Sequence, residues 1–140
     1  MNLQLILIPV CYQDHWTIIE VRPLDHSIKC YNSLGNKGDK GKMDLVEKYL
    51  KEENMNKYGE ETRAEEWVST SPDVPQQSNM TDCGVFMLVT AQALILEEKL
   101  EMHPDQAPYH RLRIMMSLRK NAILQGGLKG ITEPPPLRNM

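Results

Sequence analysis

Residues 83 to 96 read CGVFMLVTAQALIL and are apolar on nearly every side until Glu97. A helix with no polar stripe cannot lie on a surface, so this run predicts a helix buried in the middle of a domain, with the rest of the chain arranged around it. The chain has 140 residues, 41% of them hydrophobic and 25% charged. That length and balance fit one globular domain with one core, expected over residues 1 to 125.

The material that must cover the helix is mostly β in character. LQLILIPV (3 to 10) is a continuous apolar run ended by Pro9, as expected of a strand buried on both faces. WTIIEVRP (16 to 23) and SIKCYNSL (27 to 34) follow as two further strands, joined by a short turn at Pro23, Leu24, Asp25 and His26. GNKGDKGK (35 to 42) has three glycines and no apolar residue, which marks a loop. It opens onto an amphipathic helix with Met43, Leu45, Val46, Tyr49 and Leu50 on its apolar positions. Glu66 to Thr70 fits a short strand, and the two prolines of SPDVPQQSNMTD mark another loop. After the central helix, a last helix is expected from Tyr109 to Gln125, stopped by Gly126 and Gly127, with residues 126 to 140 as a tail.

Several function classes are disfavoured at this level. A formal net charge of -3 argues against nucleic-acid binding, which needs a basic surface. The opening MNLQLILIPVCYQ is too short and lacks the flanks of a signal peptide or membrane span. Three cysteines without a CxxC pair make neither a disulfide framework nor a zinc site, which fits a reducing, intracellular setting. No metal or cofactor is expected. Cys11 and Cys30 fall in or beside apolar strands and read as buried, inert thiols, while His26, His103 and His110 read as turn or surface residues.

Cys83 is different, because it sits where a Gln- and Asn-rich loop (QQSNMTD) meets the apolar helix. With Thr81 or Asp82 as N-cap, the thiol lies in the first turn, where unpaired N–H groups and the helix dipole favour an anion. Thiolate is the nucleophilic form. Gly84 leaves the surface bare beside the sulfur. The alternative is a small core residue at a helix start. A nucleophile needs a base, and a base needs an orienter. His15 precedes a strand that would hold it rigidly, and a turn centred between Pro23 and Leu24 puts Asn32 directly opposite it, on the same face. A wider hairpin would shift that pairing. Gln77, six positions before Cys83, could meet the Cys83 N–H at a developing oxyanion, with Gln76 as a rival on spacing alone.

The strings DHW, YNSLG and PQQSNMTDCGVF, in this order, resemble the SUMO-specific cysteine proteases (sentrin-specific or ubiquitin-like-protein-specific peptidases, relatives of the adenoviral protease). APYHRLRIMMSLRKNAIL is similar to that family's final helix, so the resemblance covers roughly Leu5 to Leu124. It implies an α+β, papain-like fold in which the central helix bears Cys83 and a small, mostly antiparallel sheet bears His15 and Asn32. It further implies cleavage after the C-terminal Gly-Gly of SUMO or a related ubiquitin-like protein, in the nucleus or cytoplasm. Cys83 would be the nucleophile, His15 the proton carrier, and Gln77 with the Cys83 N–H the oxyanion site. Trp16 would be one wall of the slot for the diglycine tail, or alternatively a tryptophan capping the core.

Two departures from the family stand out. Its third member is usually Asp, where this chain has Asn32; Asp25 is the substitute considered, but it falls in a turn. Family members also reach the first strand only after an N-terminal lobe, which contributes a second tryptophan wall. The chain is therefore expected to be a fragment, a short isoform, a minimal protease or an enzyme completed by a partner. The competing class is an impaired protease domain that holds a ubiquitin-like protein without cutting it.

Overall fold

The computed structural model describes residues 4–35, 37–58 and 66–120. A four-stranded sheet runs in the order β1 (Ile6–Tyr12), β2 (His15–Arg22), β3 (Ser27–Tyr31), β4 (Val68–Thr70), antiparallel except for the parallel pair β3 and β4. The crossover that a parallel pair requires contains α1 (Lys40–Tyr58). The chain divides at Pro104 and Asp105 into two compact units. The first holds the sheet, α1 and α2 (Cys83–Leu96); the second holds α3 (Ala107–Lys120).

Strand alternation gives the sheet two different faces. Ile19, Val21, Ile28 and Cys30 point one way and pack with Met43, Val46 and Leu50 of α1. Ile19, Val21 and Ile28 are fully buried, which stabilises the fold by roughly 1.5–3 kcal/mol per side chain. Helix α1 starts at Lys40 because Asp39 caps it: the Lys42 N–H donates to Asp39 Oδ1 and the Met43 N–H to the Asp39 carbonyl. Helix α2 packs on β2 from the opposite face, so the first unit has the sheet between two helices.

Under α2 the sheet buries a carboxylate. Glu20 is 1% exposed, bonded to Arg22 Nε and to the Tyr31 hydroxyl at 2.6 Å. Its hydrogen bond to Arg22 is the main reason the guanidinium pKa is raised. Sequence reading placed Glu20 in a strand without anticipating this burial. The reason is local: Arg22, two residues on, and Tyr31, across the ladder, share its face and supply the donors that a buried carboxylate needs.

Several expectations are corrected. Strand β1 is not buried on both faces and does not end at Pro9: it is the sheet's edge, half-buried to exposed, and continues to Tyr12. Proline fits there because an edge strand can spare an N–H. Cys11 is accordingly exposed, while Cys30 is buried as expected. Helix α2 is not covered all round, since Leu88 and Ile95 are 44% and 57% exposed. Helix α3 starts two residues earlier than predicted; its expected end at Gln125 and the tail from 126 lie outside the described residues.

Candidate active site

Two loops and one hairpin converge at the head of α2. The hairpin joins β1 to β2 through Gln13 and Asp14, closed by the pair Tyr12 and His15. Both turn residues have positive φ (48° and 61°), the geometry a tight two-residue hairpin demands at both central positions. This turn carries the Asp14 carbonyl to Cys83: Sγ and O are 4.0 Å apart, a long thiol contact. The residue touching the sulfur is thus the immediate neighbour of His15.

His15 stands at the first position of β2, and its Nε2 lies 2.8 Å from Asn32 Oδ1. The contact does not arise from direct opposition. Pro23–Asp25 forms a 3-10 turn closed by His26 in the left-handed region, so the hairpin is the wider one. Its register pairs Ile18 with Tyr31, which places Thr17 rather than His15 opposite Asn32. The offset is two residues, and an even offset leaves the face unchanged, so His15 reaches Asn32 diagonally. Asp25 lies past the other end of β2, and the topology excludes it from this cluster.

The proton positions on His15 follow from its partner. Asn32 Nδ2 is 2.8 Å from the Lys37 carbonyl, which can only accept, so that atom is the amide nitrogen. Asn32 Oδ1 then faces His15 and also accepts the Leu34 N–H at 2.9 Å. An acceptor facing Nε2 places the hydrogen of the neutral ring on Nε2 and leaves the lone pair on Nδ1.

Cys83 is the first residue of α2, where backbone N–H groups have no partner within the helix. Asp82 is the N-cap, but its side chain makes no capping bond. Asn79 organises this corner: its Oδ1 accepts the N–H groups of Thr81 and Asp82, and its Nδ2 donates to the Asp82 carboxylate at 2.7 Å. Sequence reading passed over that role because only the folded loop brings those groups together.

Gln77 is buried, with Nε2 donating to the Asn79 carbonyl at 2.6 Å and Oε1 accepting from Ser33 Oγ at 2.7 Å. Gln76 turns away to tie the loop to the β3 turn, taking the Gly35 N–H on Oε1 and donating through Nε2 to the carbonyl of Asn32. Trp16 is 39% exposed beside Gly84, and a Cβ added to Gly84 would meet Trp16 Cδ1 at 3.8 Å, an ordinary contact. Trp16 also lines a small cavity with Tyr31, Ser33, Val74, Phe86 and Met87. No three His, Cys, Asp or Glu side chains among the described residues are grouped to hold a metal ion.

Residues 2–127 match the Ulp1 protease family, C-terminal catalytic domain. Human sentrin-specific protease 5 is 32% identical over 114 residues, 81% of this chain and 15% of that protein. The Chaetomium thermophilum Ulp1-like SUMO protease catalytic domain has a TM-score of 0.78 at 26% identity, covering 89% of this chain and 49% of that one. The C-terminal Ulp1 protease domain solved with SMT3, the yeast ortholog of SUMO, shares the fold, with a TM-score of 0.72 at 22% identity over 87% of this chain and 55% of that one. The chain thus spans about half of those solved catalytic domains and a small part of the curated relative. With that match running from the first strand through the last helix, the chain belongs to the Ulp1 protease family and matches part of its C-terminal catalytic domain.

Proposed function

We propose that the chain is the nucleophile-bearing part of a cysteine peptidase that cleaves after the C-terminal Gly-Gly of SUMO or a related ubiquitin-like protein. The observation that carries this reading is the position of Cys83 at the head of α2, against the residue that precedes His15, whose ring is in turn held by Asn32. In that reading Cys83 Sγ attacks the scissile carbonyl and its proton passes to His15 Nδ1. The tetrahedral oxyanion is held by the Cys83 N–H and by the Gln77 Nε2–H not used by Asn79. The tetrahedral intermediate collapses, His15 protonates the leaving amine, and water releases the ubiquitin-like protein from the thioester. Trp16 walls the tail's path, and Gly84 keeps it open. The three cysteines are unpaired, which supports a reducing setting, the nucleus or cytoplasm.

The test is covalent capture by SUMO carrying a C-terminal electrophile. Labelling is expected in the wild-type chain, lost in Cys83→Ser and His15→Ala, and retained in Cys11→Ser and Cys30→Ser. Labelling that survives Cys83→Ser would remove Cys83 as the nucleophile, and measurable SUMO binding without any labelling of the wild type would replace the peptidase with a binding module.

A further inference from the structure

We propose that Ser33 is a positioning residue that anchors the Gln77 carboxamide by its oxygen, so that its N–H stays turned toward the reacting centre; this rests on the reading of Gln77 as an oxyanion donor. The two residues are 44 positions apart in sequence and joined twice: the Gln77 N–H donates to the Ser33 carbonyl at 2.8 Å, and Ser33 Oγ donates to Gln77 Oε1 at 2.7 Å. The direction of the second bond is set by chemistry. The other end of the carboxamide lies 2.6 Å from the Asn79 carbonyl, an acceptor only, so that end is Nε2 and the end at Ser33 is the oxygen. Ser33 must therefore donate.

The consequence concerns rotation about the last bond of the glutamine side chain. Carboxamide oxygen and nitrogen are nearly the same size, so packing alone barely distinguishes the two orientations. A flipped Gln77 would present a carbonyl oxygen to a developing negative charge and repel it. In the observed orientation, Nε2 carries two hydrogens and Asn79 takes one, leaving one for the oxyanion. The Asn79 carbonyl sets this orientation, because a flipped carboxamide would turn its oxygen against it, and Ser33, whose hydroxyl can donate or accept, holds the oriented group in place by donating to Oε1. Ser33 is 8% exposed, so water is a poor substitute for its hydroxyl. The dipeptide Asn32–Ser33 then orients two groups at once, the His15 ring through one side chain and the Gln77 amide through the other.

The experiment combines side-chain amide NMR of the 15N-labelled chain with turnover of SUMO bearing a C-terminal coumarin amide. Ser33→Ala is expected to shift the Gln77 NH2 signals and weaken their cross-peaks to the Asn79–Met80 region. It is also expected to lower kcat about 5- to 10-fold with KM unchanged, the effect of one net hydrogen bond. Ser33→Thr restores both. Gln77→Ala lowers kcat about 100-fold, and adding Ser33→Ala to it costs nothing more. Unchanged Gln77 signals in Ser33→Ala, or a Ser33→Ala loss that multiplies with that of Gln77→Ala, overturns the proposal while leaving Gln77 its role. Wild-type turnover in Gln77→Ala removes the oxyanion reading itself, and the proposal with it. Melting temperatures identify a variant that has merely unfolded, and the amide signals report the orientation whatever the chain's turnover.

Discussion

Asn32 holds His15 with its oxygen and the Lys37 carbonyl with its nitrogen, both at 2.8 Å. An amide can do both because one end accepts and the other donates. A carboxylate accepts at both ends, so Asn32→Asp would set an anionic oxygen against the Lys37 carbonyl. In the proposed mechanism, however, the same charge would favour the imidazolium formed as His15 takes the thiol proton. We expect Asn32→Asp to keep or raise kcat on a SUMO coumarin amide while destabilising the fold by about 1–3 kcal/mol in urea melts. Asn32→Ala, which orients nothing, should lower kcat by about 10- to 100-fold, part of what general acid–base catalysis contributes. A loss of turnover in Asn32→Asp with unchanged stability would contradict this division of roles.

Two glycines make opposite predictions. A Cβ on Gly38 would lie 2.2 Å from Ser71 Oγ and 2.7 Å from Cys30 Cβ, so the loop before α1 approaches the sheet closely only without a side chain. Gly38→Ala should destabilise by about 1–3 kcal/mol. At Gly84 an added Cβ meets Trp16 at ordinary contact distance, and glycine is a poor helix former. Gly84→Ala should leave stability equal or raise it by up to about 1 kcal/mol. If Gly84 keeps the tail's path open, turnover falls all the same, and differential scanning calorimetry beside kinetics separates the two effects.

The hairpin that delivers His15 is strained. Gln13 and Asp14 occupy left-handed backbone at a cost of roughly 1–2 kcal/mol each, which Asn and Gly would largely avoid. The double change Gln13→Asn with Asp14→Gly should raise the melting temperature. Its effect on turnover then reads out how closely the Asp14 carbonyl must sit against Cys83. A lower melting temperature would mean that the Gln13 or Asp14 side chain contributes more than its backbone costs.

How much of this was legible beforehand depends on the range of each signal. The head of α2 was readable because a polar loop gives way to an apolar run at Cys83, a contrast within neighbouring residues. The partnership of His15 and Asn32 was readable in its face but not in its register. Whether Pro23–Asp25 forms a tight turn or a 3-10 turn closed by His26 is decided by a backbone conformation that composition does not report. The edge position of β1 was missed because Leu, Ile and Val suit a central strand equally well, and Pro9 was read as an end instead of an edge. The bonds between Ser33 and Gln77 join segments brought together only by the finished sheet, so no local pattern encodes them.

The same edge assignment predicts thiol reactivity. Cys11 is exposed on β1, whereas burial pushes the Cys30 thiol up, against a smaller lowering by a hydrogen bond from the Asp39 backbone N–H. Thiolate is the reactive form, so both access and ionisation protect Cys30. With iodoacetamide at pH 8, site-resolved mass spectrometry should find Cys11 modified in the native chain and Cys30 modified only in denaturant. Native labelling of Cys30 at the rate of Cys11 would mean that the core around Ile19 and Ile28 opens readily.

Tyr31 gives the fold a pH limit whose sign can be worked out. Burial and then its hydrogen bond to Glu20 hold the phenol pKa well above the ordinary value of about 10. The unfolded chain therefore releases this proton first as pH rises, and the native state binds more protons than the unfolded state above about pH 10. The stabilisation is complete below that pH and is lost as pH climbs through the range between the unfolded and folded values. Tyr31→Phe removes both the proton and the hydrogen bond to a buried carboxylate, so the variant should be less stable near neutrality by about 1–3 kcal/mol. Its deficit relative to wild type should narrow above pH 10, because only the wild type loses this contribution there. Urea unfolding of both chains between pH 8 and pH 10.5 measures the difference directly, since tyrosines common to both cancel. A deficit that stays constant across that range would mean that Tyr31 stabilises the chain by packing against its neighbours, with no part played by its proton.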